Sequence, residues 1–336
     1  MRLADFQYHL PPELIAQDPV YPRDASRLLV LHRSTGELEH RIFSDLPEYL
    51  TADDVLVLND SKVIPARLEG RKPTGANIEI LLLKRLDERR WEALVSPGRR
   101  ARPGSVVLLN DGVQIKIGER TEAGGRIVEF NGNAPVSELL KRYGRTPLPP
   151  YIKKELKDPG RYQTIYAREE GSAAAPTAGL HFTERLLEQI RQKGVSIVYL
   201  TLHIGLDTFR PIHEDIIEKH RMHSEEYEIS EETAEAINSA KGRVIAVGTT
   251  CVRALESAAT EDGKVMPGRR STSLFIMPGY QFHVVDALIT NFHLPGSTLL
   301  VLVSAFAGRE LILYAYQQAI QMRYRFYSFG DAMLIL

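Results

Sequence analysis

From about Val63 to Phe130 the chain contains no good helical run, and this limits its fold more than any other feature. Short segments follow one another instead: ARLEGR, NIEILLLKRL, RWEALVS, SVVLLN, VQIKIGER and GRIVEF, with Gly, Asn and Asp between them. Brief strands at this spacing predict a small barrel or sandwich. NAPVSELLKRYG then reads as a short helix with a glycine stop, and RTPLPPY as a proline-stiffened linker. The flanks have a different texture. SRLLVLH and DDVLVLND read as strands, the second buried and ending in the polar pair Asn59-Asp60. Beyond Tyr151 strands alternate with helices: TERLLEQIRQKG is a helix stopped by Gly194, and VSIVYLTLH is a strand ending on His203. RVIAVGTTCVRALESAA is strand, tight turn and helix, and Gly308 divides a long apolar segment near the end into two helices. The expected class is α/β: a larger, discontinuous α/β domain (1–62 and 151–336) with a smaller all-β barrel-like domain (63–150) inserted into it.

Composition removes several functions. With 42 Lys and Arg against 43 Asp and Glu the net charge is −1, so a nucleic-acid partner would have to meet a local patch. Such patches exist. Lys84 to Arg102 carries seven basic and three acidic side chains, and Lys141 to Arg161 seven and two. Glu214 to Glu235 carries nine acidic and two basic. All three also fit ordinary solvated surface. The one cysteine, Cys251, cannot form an internal disulfide. The N-terminus lacks the apolar core of a signal peptide, and the longest apolar runs are too short to span a bilayer. The expectation is a soluble cytoplasmic protein, monomeric because no coiled-coil heptads occur.

Five stretches could carry chemistry. GSAAAPTAGLHFT places small residues before a helix capped by Thr183, with His181 at the junction. Small side chains let a ligand approach the backbone; a packed turn with a core histidine fits equally. VGTTCVRALE offers a Gly248-Thr249-Thr250 turn that can cradle an anion, and Arg253 one turn into the helix. It lacks the Gly-Lys-Ser/Thr ending of a nucleotide-hydrolase loop, and no Gly-x-Gly-x-x-Gly occurs anywhere. His203, His213, His220 and His223 lie among acids but not at zinc spacing, so no metal is expected and acid–base or nucleic-acid roles are favoured. Asn291 and His293 follow an apolar strand just before Pro295-Gly296. RYRFYSFGDAMLIL interleaves arginines and aromatics, as a base-stacking surface or an edge strand would.

Together these motifs are distinctive. LPPELIAQDP, VLNDSKVIPARL, GRTPLPPYI, GSAAAPTAGLHFT, HIGLDTFRPI, HRMHSEEYEI, VGTTCVRALES, TNFHLPGSTL and YRFYSFGDAMLI run over nearly the whole chain, and with them it closely resembles the QueA family. These are the S-adenosylmethionine:tRNA ribosyltransferase-isomerases of queuosine biosynthesis. The resemblance implies the same two-domain fold. It also implies a reaction in which the ribosyl part of S-adenosylmethionine moves to 7-aminomethyl-7-deazaguanine, at the wobble position of tRNAs for Asp, Asn, His and Tyr. Epoxyqueuosine forms, and adenine and methionine leave; S-adenosylmethionine is a consumed co-substrate and no cofactor is implied. A base at C5′, made acidic by the sulfonium, and a proton donor for adenine are needed. On this reading His181 and His203 lead as the acid–base pair, followed by Asp60 and His293. Arg253 with Gly248, Thr249 and Thr250 would hold the methionine carboxylate or the ribose. The run that includes Ser172, Ala173, Ala174, Thr177 and Gly179 would line the nucleoside pocket, and Asn59 and Asn291 would read polar edges. The tRNA would lie on Arg99, Arg100, Arg102, Lys153, Lys154 and Arg325. Two positions depart from the family pattern: Leu206-Asp207, where a Gly is usual, and Ser273, where an acid is common. A methyltransferase, a non-catalytic RNA-binding module and a metal-dependent hydrolase are the alternatives.

Overall fold

A computed structural model describes residues 1–121, 124–205, 212, 214–222 and 224–336. Along the chain come β1 (Arg27–Leu31), β2 (Leu38–Ile42), β3 (Val55–Asn59) and β4 (Ser61–Val63). Six strands follow: β5 (Arg67–Arg71), β6 (Asn77–Arg85), β7 (Arg90–Ser96), β8 (Val106–Leu108), β9 (Gln114–Arg120) and β10 (Arg126–Phe130). Then come α1 (Val136–Tyr143), β11 (Glu169–Ser172), α2 (Glu184–Gln192), β12 (Ser196–Leu202), β13 (Glu225–Ile229), α3 (Glu231–Asn238), β14 (Val244–Val247) and α4 (Thr249–Ala258). The last are β15 (Gly268–Thr272), β16 (Ala287–Asn291), α5 (Thr298–Ala307), α6 (Arg309–Gln321) and β17 (Ala332–Ile335).

The nine-stranded sheet runs β15-β13-β12-β3-β14-β16-β17-β1-β2. Its centre is parallel: β12 and β14 flank β3, and β16 pairs with β14. These strands bury both faces, as apolar runs without alternation require. Leu29, Val57, Leu202, Ala246 and Met333 face the layer containing α3 to α6. Leu28, Leu58, Val247, Ile289 and Leu334 face α2 and Phe43. The helix pair predicted around Gly308 is present, bent by 112° between α5 and α6 and packed into this core. Among the described residues no single helix is long and apolar enough to cross a membrane.

Strands β5 to β10 close into an antiparallel barrel in the order β10-β7-β6-β5-β8-β9, and Val136, Leu139 and Leu140 of α1 pack into its core. The expected class, an α/β body carrying a smaller β-barrel, is the observed one. At the junction β4 pairs in parallel with β11, and Arg67 bridges Arg145. The C-terminal strand corrects one expectation: β17 is internal, paired with both β1 and β16, and not an edge.

Candidate active site

Parallel strands β3, β12, β14 and β16 end on one side of the sheet, at Asn59, Leu202, Val247 and Asn291. Ligands of α/β sheets bind beyond such carboxyl ends. Two spaces open there; Ile204 lines the first, and its neighbours His203 and Gly205 line the second.

The first is a pocket without an Arg, Lys, Asp or Glu side chain in its described lining. Ala175 to Ala178, Gly248 to Thr250, Thr290 to His293, Tyr151 and Tyr327 form most of its wall. Gly248 has φ +90°, which a side chain would strain, and it turns the chain from β14 into α4. Asn291 organises the floor. Its Nδ2 donates to the Tyr327 carbonyl (3.2 Å) and to His181 Nε2 (3.1 Å), and its Oδ1 accepts from Thr177 Oγ1 (3.1 Å). A carbonyl can only accept, so Nδ2 is the donor on that side and His181 Nε2 must be unprotonated. The ring proton then sits on Nδ1, donated to Ser26 Oγ at 2.7 Å. The His181 ring stacks on Phe43, and burial, with Arg23 and Arg325, lowers its pKa to about 3. Both ring nitrogens are engaged, so this histidine orients Asn291. His293 Nε2 lies 2.8 Å from Thr290 Oγ1, and burial lowers its pKa to about 3.

The second space is a cleft of about 1630 Å³ between the barrel and the sheet. Lys84, Arg85, Trp91 and Lys141 line its barrel side; Gly171, His203, Glu226, Arg253 and Arg269 line the other. His203 Nδ1 is fixed by Ser61 Oγ at 2.8 Å. Gly171 lies over the ring: a Cβ there would come within 2.9 Å of Cε1 and Nε2. Burial lowers the His203 pKa; Arg269 adds to this, and Glu226, Glu169 and Asp60 oppose it. The imidazole is thus neutral near pH 7 and can accept a proton. Among the described residues, no three His, Cys, Asp or Glu side chains gather as metal ligands.

A family model described as "Queuosine biosynthesis protein" matches residues 3–335. The chain belongs to this family. The S-adenosylmethionine:tRNA ribosyltransferase-isomerase of Moorella thermoacetica is 59% identical over 342 residues, and that of Symbiobacterium thermophilum 58% over 341, each match covering both chains in full. The crystal structure of S-adenosylmethionine tRNA ribosyltransferase from Thermotoga maritima, at 2.00 Å resolution, matches with a TM-score of 0.57 and 42% identity. That match covers 99% of this chain and 100% of the other.

In this queuosine biosynthesis protein the candidate residues fall into three groups. Thr177, Gly248, Thr249, Thr250, Asn291 and His293 line the pocket. His203 and Arg253 line the cleft. Behind these walls lie supports. Asn59 Oδ1 accepts from the Ser61 and Leu202 amides, and its Nδ2 donates to Thr250 Oγ1 (3.3 Å) and the Leu202 carbonyl. Ser172 Oγ accepts from the Ile204 amide, the Ala173 amide bonds the Ile204 carbonyl, and Ala174 is buried in the core. Gly179 leaves no room beside Tyr166, whose hydroxyl would stand 2.0 Å from a Cβ. Asp60 is 4% exposed, accepting from Thr201 Oγ1 (2.7 Å) and Arg168 Nη2 (2.9 Å).

Arg253 does not present a free fork: Nη1 bonds the Glu225 carboxylate and Nε the Leu274 carbonyl. The surface expected for RNA is also not assembled on the cleft. Arg99 lies on another face of the barrel, Lys154 pairs with Asp18 at 2.6 Å, and Arg325 bonds the Asp18 carbonyl. Tyr324, Phe326 and Tyr327 are buried and cannot stack RNA bases from the surface. Cys251 is a buried thiol whose pKa burial pushes far up. Leu206, Asp207, His213 and His223 lie outside the described residues; Ser273 is exposed just after β15. Reading the sequence missed Ser61, Gly171, Glu225 and Tyr151, and gave Tyr327 a surface role in place of the pocket. Ser61 stood beside Asn59-Asp60 in the motif, but nothing local pairs it with a histidine 142 positions on.

Proposed function

We propose that this chain transfers and isomerises the ribosyl group of S-adenosylmethionine onto 7-aminomethyl-7-deazaguanine at the tRNA wobble position. Epoxyqueuosine-tRNA forms, and adenine and methionine leave. The observation that carries the reading is His203: a neutral imidazole on the wall of a wide cleft, held by Ser61 through Nδ1 and by Gly171 over its face. Such a base can take the C5′ proton that the sulfonium acidifies. Ring opening breaks the C1′–O4′ bond, the tRNA amine adds to C1′ and adenine leaves from it; the carbanion then closes on the resulting iminium carbon, and the C4′ oxygen displaces methionine from C5′. The pocket without charged walls suits the adenine, and the cleft suits the anticodon and the amino-acid end. Arg85 and Lys141 line the cleft where RNA phosphates would pass. The acceptors would be tRNAs for Asp, Asn, His and Tyr. The protein would act as a cytoplasmic monomer, with S-adenosylmethionine consumed and no other cofactor.

The test is incubation with S-adenosylmethionine and tRNA carrying 7-aminomethyl-7-deazaguanine. Mass spectrometry of the wobble nucleoside and adenine release are followed together. An epoxycyclopentanediol adduct with equimolar adenine is expected. Unchanged tRNA and no adenine from folded protein would leave RNA binding as the better reading.

A further inference from the structure

Two buried phenols, Tyr166 and Tyr327, have no hydrogen-bond partner among the described residues. Of these only Tyr327 lines the pocket. It is 4% exposed, and its backbone has φ +70°, a left-handed conformation costly for a bulky side chain. Several bonds hold it there. Its amide donates to the Phe292 carbonyl (3.2 Å), and its own carbonyl accepts from the Gly330 amide (2.9 Å) and from Asn291 Nδ2. Asn291 is in turn fixed by His181, and His181 by Ser26. Its ring packs on Tyr151, with centroids 4.7 Å apart.

A buried hydroxyl without a partner is costly, and a chain of three residues spent on holding its backbone in a strained conformation points to use. We infer that Tyr327 is a substrate-binding residue whose phenol donates a hydrogen bond to a ring nitrogen of the purine of S-adenosylmethionine, with His181 and Asn291 as its positioning residues. A neutral heteroaromatic ring fits best because the described lining has no cation to meet a carboxylate or phosphate, while Phe292, Tyr151 and Tyr327 supply aromatic contact. Burial, with Tyr151 and Tyr316 nearby, raises the Tyr327 pKa, so the group stays a donor and does not ionise.

This rests on the ribosyl-transfer reading, which adenine release by the unaltered protein tests separately. The variant is Tyr327→Phe, which removes one oxygen. The KM for S-adenosylmethionine should rise about tenfold, the worth of one hydrogen bond, with the KM for tRNA unchanged. One analogue with a purine ring nitrogen replaced by C–H should cost the unaltered protein a similar factor and cost Tyr327→Phe nothing more. Titration of adenine onto the free protein reads the pocket without turnover, and the same weakening is expected. Unfolding without ligand should show Tyr327→Phe at least as stable as the parent, because an unpaired polar atom has gone. An unchanged KM for S-adenosylmethionine, or an equal rise in both KM values, overturns the inference.

Discussion

At the scale of single residues, the geometry divides the histidines by what their second nitrogen meets. His203 has Nδ1 tied to Ser61 and lines the open cleft. His181 has both nitrogens tied. Replacing His203 by Gln should therefore lower kcat by about 10² to 10⁴, the usual contribution of a positioned base, with little loss of stability. The parent's kcat/KM should rise with pH through the folded pKa of His203, which lies below 6.5, and level off above it. A rate still climbing steeply above pH 7 would assign the base elsewhere. Sequence could mark these histidines as candidates because each lies in an unusual motif at an element end. It could not separate base from strut, since the separation depends on Ser26 and Asn291, distant by 155 and 110 positions from His181.

At the scale of elements, local chemistry was legible. Thr183 caps α2, accepting from the Leu186 amide at 3.1 Å, and its hydroxyl donates to buried Asp24. Thr183→Ala should cost about 1 to 2 kcal/mol, read as a lower urea midpoint with unchanged slope. Gly144 after α1, Gly194 after α2 and Gly308 between α5 and α6 act as the stops their positions suggested. The strand–turn–helix at Gly248 was legible too, but not its use. From its sequence Arg253 looked like an anion fork; the fold supplies Glu225 from β13 and consumes it. Both partners are buried, so Arg253→Met should destabilise by about 3 to 5 kcal/mol in thermal or urea unfolding, because the buried Glu225 carboxylate keeps the Gly205 amide but loses its compensating guanidinium. RYRFYSFGD misled for the same reason. Alternation of arginine and aromatic residues does not say which set faces water, and here the aromatics turn inward.

At the scale of the whole molecule, two neutral histidines buried in the core make stability depend on pH. Both folded pKa values lie near 3, against 6.5 for the free side chain. Between those values the unfolded chain binds protons that the folded chain does not, so stability rises with pH across that window and is complete above about 6.5. Each histidine should contribute on the order of 1 kcal/mol per pH unit below 6.5. Urea unfolding at pH 7.5 and 5.5 should show the loss, and His293→Gln should reduce it. The cleft between barrel and sheet gives a second test. The salt dependence of tRNA binding should weaken by about one counterion for Lys141→Ala and for Arg85→Ala, with little change for Arg99→Ala. By itself the sequence determined the class of the fold, an α/β chain carrying a β-barrel, with several strand ends, caps and glycine turns in place and motifs dense enough to name a family; it did not mark β2, β11, β13 or β15 as strands. The features it determined depend on neighbours within a few residues, where periodicity and backbone preference act. Only the tertiary structure decided which candidates line a pocket, which brace it and which are neutralised by a partner. Hydrogen bonding and desolvation at the site come from side chains a hundred or more positions apart, and folding alone brings them together.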